Sequence, residues 1–348
     1  MKALVYHGVD NKNWEEVPDP TILAPTDAIV QIDTTTICGT DLHILQGHVP
    51  AVEAGRILGH EGVGTVVEVG SAVNNIKVGD RVIVSCISSC ATCKYCRKGL
   101  PSHCLGMGGI GWVLGHLIDG TQAEYVRTPF ADTSLHKVPD ALTNEQAVMI
   151  SDIFPTGFEI GIQYGNVQPG DVVAVIGVGP VGLASVATAK LYGPSKVIAV
   201  GRAQPRIEHA LRMGADVGVS TNDPEWVAKV MAETDGLGVD VVVEAVGYPG
   251  TLQDCFKIVR PGGRVANAGV HGSPVELPMD TLWIQNLYFS TGLVDATSSQ
   301  MMIDLAATGK IAPEQMATHR FALSEMLDAW EVFSNAPKYD ALKVVLNR

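Results

Sequence analysis

Between residues 36 and 61 the chain gathers side chains that bind metals and move protons: Cys38, Thr40, Asp41, His43, His60 and Glu61. Thiolate and imidazole both suit Zn2+, and a catalytic zinc takes three protein ligands and leaves the fourth position to water or substrate. Cys38 and His60 supply two of three. The glycines around the second, from Gly55 to Gly64 with Gly59-His60-Glu61-Gly62 at the centre, let backbone crowd a ligand without Cβ clashes. Taken alone, the pair also reads as a buried cysteine and an unrelated histidine.

A second group is Cys90, Cys93, Cys96 and Cys104, spaced C-x2-C-x2-C-x7-C. Four thiols at this spacing wrap one ion tetrahedrally and leave no open position, so the expected role is a structural zinc that stiffens a lobe. An iron–sulfur cluster uses the same ligands. A nucleic-acid zinc ribbon is the other alternative, and the acidic charge balance disfavours it. Seven cysteines is an odd count, and five fall between Cys86 and Cys104, which argues for metal rather than disulfide stapling. Cys86 and Cys255 lie in apolar surroundings and read as inert core thiols.

The third group handles phosphate. Gly177-Val178-Gly179-Pro180-Val181-Gly182 follows an apolar strand at 172–176 and precedes an apolar helix at 183–192 and a strand at 196–200. G-x-G-x-x-G in this βαβ context is the dinucleotide fingerprint: Gly177 turns the chain, Gly179 admits a pyrophosphate and Gly182 packs helix on strand. An NAD site usually places an acid at the tip of the second strand, about 20 residues on. Here that strand ends in Gly201-Arg202. Room at Gly201 and charge at Arg202 and Arg206 favour NADP over NAD.

These groups need elements to hold them. Short β-like runs at 2–6, 28–36, 64–69, 81–85 and 123–127 predict a β-rich barrel or sandwich. From about residue 142 the texture turns helical, at 144–149 and 156–164. Strand and helix then alternate: helices at 204–213, 224–233 and 251–259, strands at 217–220, 239–244 and 263–268, which predicts a doubly wound parallel sheet. Helices at 297–308 and 324–335 and a strand at 342–346 return to the first domain.

A chain of 348 residues, 46% hydrophobic and 18% charged, fits two globular domains. Lys+Arg 24 against Asp+Glu 37 gives a net charge of −13, the wrong sign for nucleic acid. No apolar run reaches signal-peptide or membrane-spanning length, so a cytoplasmic location without membrane attachment is the default expectation.

Together these motifs resemble the medium-chain, zinc-dependent alcohol dehydrogenases over nearly the whole length. The resemblance implies an α/β protein: a GroES-like catalytic domain (1–153 and 295–348) split by a Rossmann nucleotide domain (154–294), with a cleft between them. It implies two zinc ions per chain and makes Cys38, His60 and Asp152 the catalytic ligands, Asp152 being similar to what bacterial secondary-alcohol dehydrogenases use. Those relatives often lack the four-cysteine lobe. It also implies a proton path from Thr40 through His43 and the cofactor ribose. Asp41 is a candidate partner for the second nitrogen of His60. Glu61 can approach the metal or be held off it by Lys343. Candidate cofactor contacts also include Thr156, Val246, Ala268 and Lys343; Trp112, Leu114, Trp283 and Leu293 are candidate pocket walls. The expected activity interconverts small alcohols with aldehydes or ketones, in a homo-oligomer, tetramer before dimer. The alternatives are a polyol or amino-alcohol dehydrogenase and a non-catalytic nucleotide-binding sensor.

Overall fold

A computed structural model describes every residue from Met1 to Arg348. The chain divides into two compact units, Met1–Pro155 with Asp295–Arg348, and Thr156–Val294.

The first unit is built on the strand Ala28–Thr36, whose β-branched residues are buried along most of its length. It pairs antiparallel with Gly62–Val69, Tyr125–Thr128 and Lys343–Asn347 in a seven-stranded sheet completed by Arg81–Val84, Leu135–Lys137 and Ala317–Ala322. Val345 sits opposite Thr36, so the last strand of the chain places Lys343 beside the start of the Cys38 loop. One core of this unit packs Val30, Ile32, Val66, Val82, Val84, Leu114 and Val126. A second joins Leu4, Ile37, Ile44 and Leu58 to Met326 and Trp330 of the helix Met326–Ser334.

The second unit carries six parallel strands in the spatial order Val217–Ser220, Lys196–Gly201, Val172–Ile176, Val239–Glu244, Val259–Asn267 and Tyr288–Thr291. Counted along this unit the order is 3-2-1-4-5-6, the dinucleotide-binding arrangement. The central strand Val172–Ile176 is a continuous apolar run and its neighbours carry runs at 197–200 and 241–243, as parallel strands covered on both faces do.

Three expectations are corrected. The strands Asn11–Glu16, Ala317–Ala322 and Tyr288–Thr291 are not among those expected: their sequences, NKNWEE, ATHRFA and YFST, are half polar or more, and each is held by pairing rather than by burying an apolar face. The segment expected as an α-helix at 156–164 is a helical turn Ile153–Thr156 followed by a π-helix Gly157–Gln163. A Cβ on Gly161 would lie 2.5 Å from Ser185 Oγ, so glycine lets this wider helix press against Pro180–Ala189. The unit crossing falls at Pro155/Thr156, two residues beyond the expected 153. No helix is long and apolar enough to cross a membrane.

Candidate active site

Cys38 is the N-cap of the short helix Gly39–Leu45, in extended backbone at φ −103° and ψ 158°. Its N–H donates to Asp41 Oδ2 at 2.9 Å, so the helix start fixes the thiol and Asp41 together. Thr40 in the first turn brings its hydroxyl within 3.8 Å of Cys38 Sγ. His60 sits just before the strand Gly62–Val69. Its loop requires glycine: Gly59 has φ +93°, and a Cβ on Gly120 would stand 2.0 Å from Gly59 O. Asp152 comes from the turn between Asn144–Val148 and Ile153–Thr156.

These elements converge. One ligand atom each from Cys38, His60, Glu61 and Asp152 lies within 4.8 Å of all the others, and all four residues are buried. Asp152 Oδ2 is 3.3 Å from His60 Nε2 and 4.0 Å from Cys38 Sγ. Glu61 Oε1 is 3.9 Å from His60 Nε2. It is held by Lys343, whose Nζ donates to Oε2 at 2.6 Å, to Oε1 at 2.8 Å and to Ile37 O at 3.1 Å. Lys343 is fully buried. Burial opposes its charge, but Glu61, Cys38 and Asp152 outweigh that and hold the ammonium above its usual range. Lys343 is thus spent on Glu61, which corrects its candidacy as a cofactor contact.

The donor set fits a divalent cation. Three carboxyls (Asp41, Glu61, Asp152) and a thiol are buried here beside one buried lysine and His60. Burial pushes the Asp41 and Glu61 carboxyls up, and although burial opposes a charge on His60, Asp152 and Cys38 hold its proton well above the usual range, so a divalent cation can take the place of protons in this cluster. Burial pushes the Cys38 thiol up, Glu61 adding to it. His60 Nδ1 faces Asp41 Oδ1 at 3.7 Å, and both buried atoms lack a hydrogen bond. An imidazole ligating through Nε2 directs its Nδ1–H at such a carboxylate. Asp41 is positioned in turn by Gln122, whose Nε2 donates to Oδ2 at 2.8 Å, while Trp330 Nε1 donates to Gln122 Oε1 at 3.1 Å.

Trp112 stands edge-on to His60 at 6.1 Å between ring centroids and stacks on His116 at 4.2 Å. Leu114 is fully buried in the barrel core with Val30 and Val126, which removes it from the pocket wall: its side chain is what the sheet packs around. Trp283 and Leu293 belong to the Rossmann unit, Trp283 being 70% exposed and Leu293 half-buried.

Cys90, Cys93, Cys96 and Cys104 also bring one sulfur each within 4.8 Å of the rest. Backbone N–H groups point at the sulfurs: Cys90 N at Cys104 Sγ (3.2 Å), Leu105 N at Cys93 Sγ (3.4 Å) and Cys96 N at Cys93 Sγ (3.5 Å). Burial raises the Cys90 thiol, but hydrogen bonds from Thr92 and Cys93 outweigh it and bring it to about 6. The N–H of Cys96 likewise lowers Cys93. A cradle of N–H donors around four thiols suits tetrahedral thiolate binding.

In the Rossmann unit the candidate cofactor residues meet at the carboxyl edge of the sheet, where such folds bind nucleotides. Gly177 has φ +99°, and a Cβ on Gly182 would lie 1.8 Å from Gly177 O. At Gly179 the Cβ direction is open, which leaves the start of helix Pro180–Ala189 free to receive an anion. Val246 follows Val239–Glu244 and Ala268 follows Val259–Asn267. At the strand tip a Cβ on Gly201 would stand 2.4 Å from Val178 Cγ2, so glycine is needed there for packing as well. Arg202 is exposed, Arg206 and Thr156 half-buried.

Residues 24–140 match the model of the alcohol dehydrogenase GroES-like domain and residues 180–307 that of the zinc-binding dehydrogenases. An alcohol dehydrogenase of Cupriavidus necator is 36% identical over 96% of this chain and 95% of its own. This chain belongs to the zinc-type, medium-chain alcohol dehydrogenases. A zinc-dependent alcohol dehydrogenase 2 from Streptococcus pneumonia, solved in its apo form, superposes with a TM-score of 0.95 at 47% identity, covering 100% of this chain and 98% of that one. An NADP-dependent isopropanol dehydrogenase of Entamoeba histolytica is 34% identical over 99% of this chain and 95% of its own. The activity that follows is NAD(P)-dependent oxidation of alcohols with zinc.

Sequence reasoning about this dehydrogenase missed Gln122, Trp330, His48 and His116. Gln122 and Trp330 have no local signal, since each contacts Asp41 or its partner across a long stretch of chain. His48 is different, because Gly47 announces the end of the helix before it.

Proposed function

We propose that this dehydrogenase interconverts small secondary alcohols and ketones, with NADP as its favoured cofactor and two zinc ions per chain. The observation that carries the reading is Asp152, whose carboxylate stands 3.3 Å from His60 and 4.0 Å from Cys38 and completes a three-ligand set. Cys38, His60 and Asp152 would hold a zinc ion whose chemistry would be Lewis-acid polarisation of the substrate oxygen, and the glycine turn at 177–182 would hold the nicotinamide cofactor that would serve as hydride acceptor. Thr40 receives the alcohol proton beside Cys38, and His43 passes it toward solvent. Asp41 orients His60, and Lys343 holds Glu61. Cys90, Cys93, Cys96 and Cys104 hold the second ion.

NADP is supported by Arg202 and Arg206 after a strand tip without an acid, and by the NADP dependence of the Entamoeba relative. A homotetramer is the proposed assembly. The edge strand Tyr288–Thr291 and the residues before it expose Trp283, Ile284 and Tyr288 at 70%, 67% and 72%, surface suited to a second copy. A cytoplasmic location suits thiols that must stay reduced to bind metal.

Steady-state kcat/KM for 2-propanol, ethanol and a polyol with both cofactors tests the reading. The secondary alcohol with NADP+ should lead, and Arg202→Ala should reduce kcat/KM for NADP+ by about tenfold or more, as loss of a charge-assisted bond to phosphate does. A preference for NAD+ untouched by Arg202→Ala contradicts the cofactor assignment.

A further inference from the structure

The helix Gly39–Leu45 ends in a Schellman motif that pairs two histidines. Gly47 takes φ +78°; its N–H donates to Ile44 O at 2.9 Å, and the N–H of His48 donates to His43 O at 2.9 Å. This is the paired bonding that closes a helix when the chain reverses through a left-handed glycine. Glycine is needed twice over, because a Cβ on Gly47 would also lie 2.9 Å from Val9 Cγ2. The motif normally joins two apolar side chains across the turn. Here it joins imidazoles: His43 Nδ1 is 3.2 Å from His48 Nδ1, and the rings stand 5.5 Å apart at 42°. His43 is half-buried and His48 exposed.

Two facing Nδ1 atoms at this distance hold one proton between them. With Nδ1–H on His43 and the lone pair on His48, the free Nε2 of His43 is an acceptor. We propose that His48 is the outer station of the proton path: His43 takes a proton on Nε2 as it gives its Nδ1 proton to His48, which releases it to water. The proposal rests on the reading of His43 as the carrier of the alcohol proton. Protons balance at each transfer, and His43 ends as the other neutral tautomer.

Burial lowers the His43 pKa, and His48 is the single charged neighbour that lowers it further. The nearest acids do not offset this. Asp41 on the same helix is buried against Gln122 and His60. Asp10, on the segment packed against the helix end through its N–H to Leu45 O, forms no ion pair with either ring. His43 is thus biased toward its neutral form and ready to accept, and His48 stands exposed to water.

The test compares full-length wild type, His48→Ala, His48→Gln and His43→Ala by kcat against pH for alcohol oxidation at low buffer, and by NMR titration of the His43 ring. His48→Ala should move the His43 titration upward and cut kcat below neutral pH by about tenfold, with recovery on adding imidazole and convergence at alkaline pH. His48→Gln should behave the same way, showing that the loss is not one of packing. An unchanged titration and pH profile in both His48 variants, with His43→Ala altered, overturns the role of His48 alone. An unchanged profile in His43→Ala overturns the carrier reading and this proposal together.

Discussion

Lys343 Nζ lies 2.6 Å from Glu61 Oε2 with both side chains buried, an ion pair between the last strand and the loop that carries His60. It ties the last strand to the glycine loop, and it engages the Glu61 carboxylate while Asp152 faces His60 and Cys38.

Lys343→Met should therefore lower stability by about 3–5 kcal/mol, the effect of leaving a buried carboxylate unpaired. Adding Glu61→Gln should recover much of the loss, because no charge is then stranded. Urea unfolding measures both. A loss below about 1 kcal/mol would mark the pair as no stronger than a surface bridge.

Gln122 touches no candidate ligand, yet it holds Asp41 opposite His60. Gln122→Met should weaken zinc binding by about ten- to a hundredfold, the usual result of removing an outer-sphere partner, with circular dichroism unchanged. Competition with a chelator reads the affinity. Wild-type zinc retention in this variant would show that Asp41 is placed without help.

His136, on the strand Leu135–Lys137 opposite Ile83, is a pH lever on stability. Burial lowers its pKa below the ordinary 6.5. As pH falls through 6.5 the unfolded chain takes up a proton that the folded chain refuses. Its contribution is thus intact above that value, lost as pH falls toward the folded pKa, and level below it. Thermal midpoints between about pH 7.5 and pH 5 should fall less steeply in His136→Asn than in wild type. Parallel curves would remove His136 from the account.

Much of this was legible in the sequence where chemistry or periodicity is local. The four cysteines, the glycine fingerprint and the buried strands of the Rossmann sheet announce themselves within a few residues. What was not legible is made by tertiary contact. Gln122 reaches Asp41 across 81 positions of chain, and Trp330 reaches Gln122 because the helix Met326–Ser334 packs on the N-terminal core, while Leu114 is taken into the barrel core. Gly201 has a packing role that no local signal announces, since a Cβ there would meet Val178 of the glycine turn. The edge strand Tyr288–Thr291 lacks signal because its four residues are two aromatics followed by Ser290 and Thr291, with no apolar–polar alternation.

The central claim is that Cys38, His60 and Asp152 hold the zinc that turnover needs, apart from the zinc of the four-cysteine lobe. Zinc per chain, measured alongside kcat for a secondary alcohol in wild type, Asp152→Ala and Cys93→Ser, tests it most directly. The account predicts two zinc ions in the wild type, one in each variant, turnover lost in Asp152→Ala with its fold intact, and turnover kept by folded but less heat-stable Cys93→Ser. Near-normal kcat in Asp152→Ala, or retention of both ions there, would contradict it.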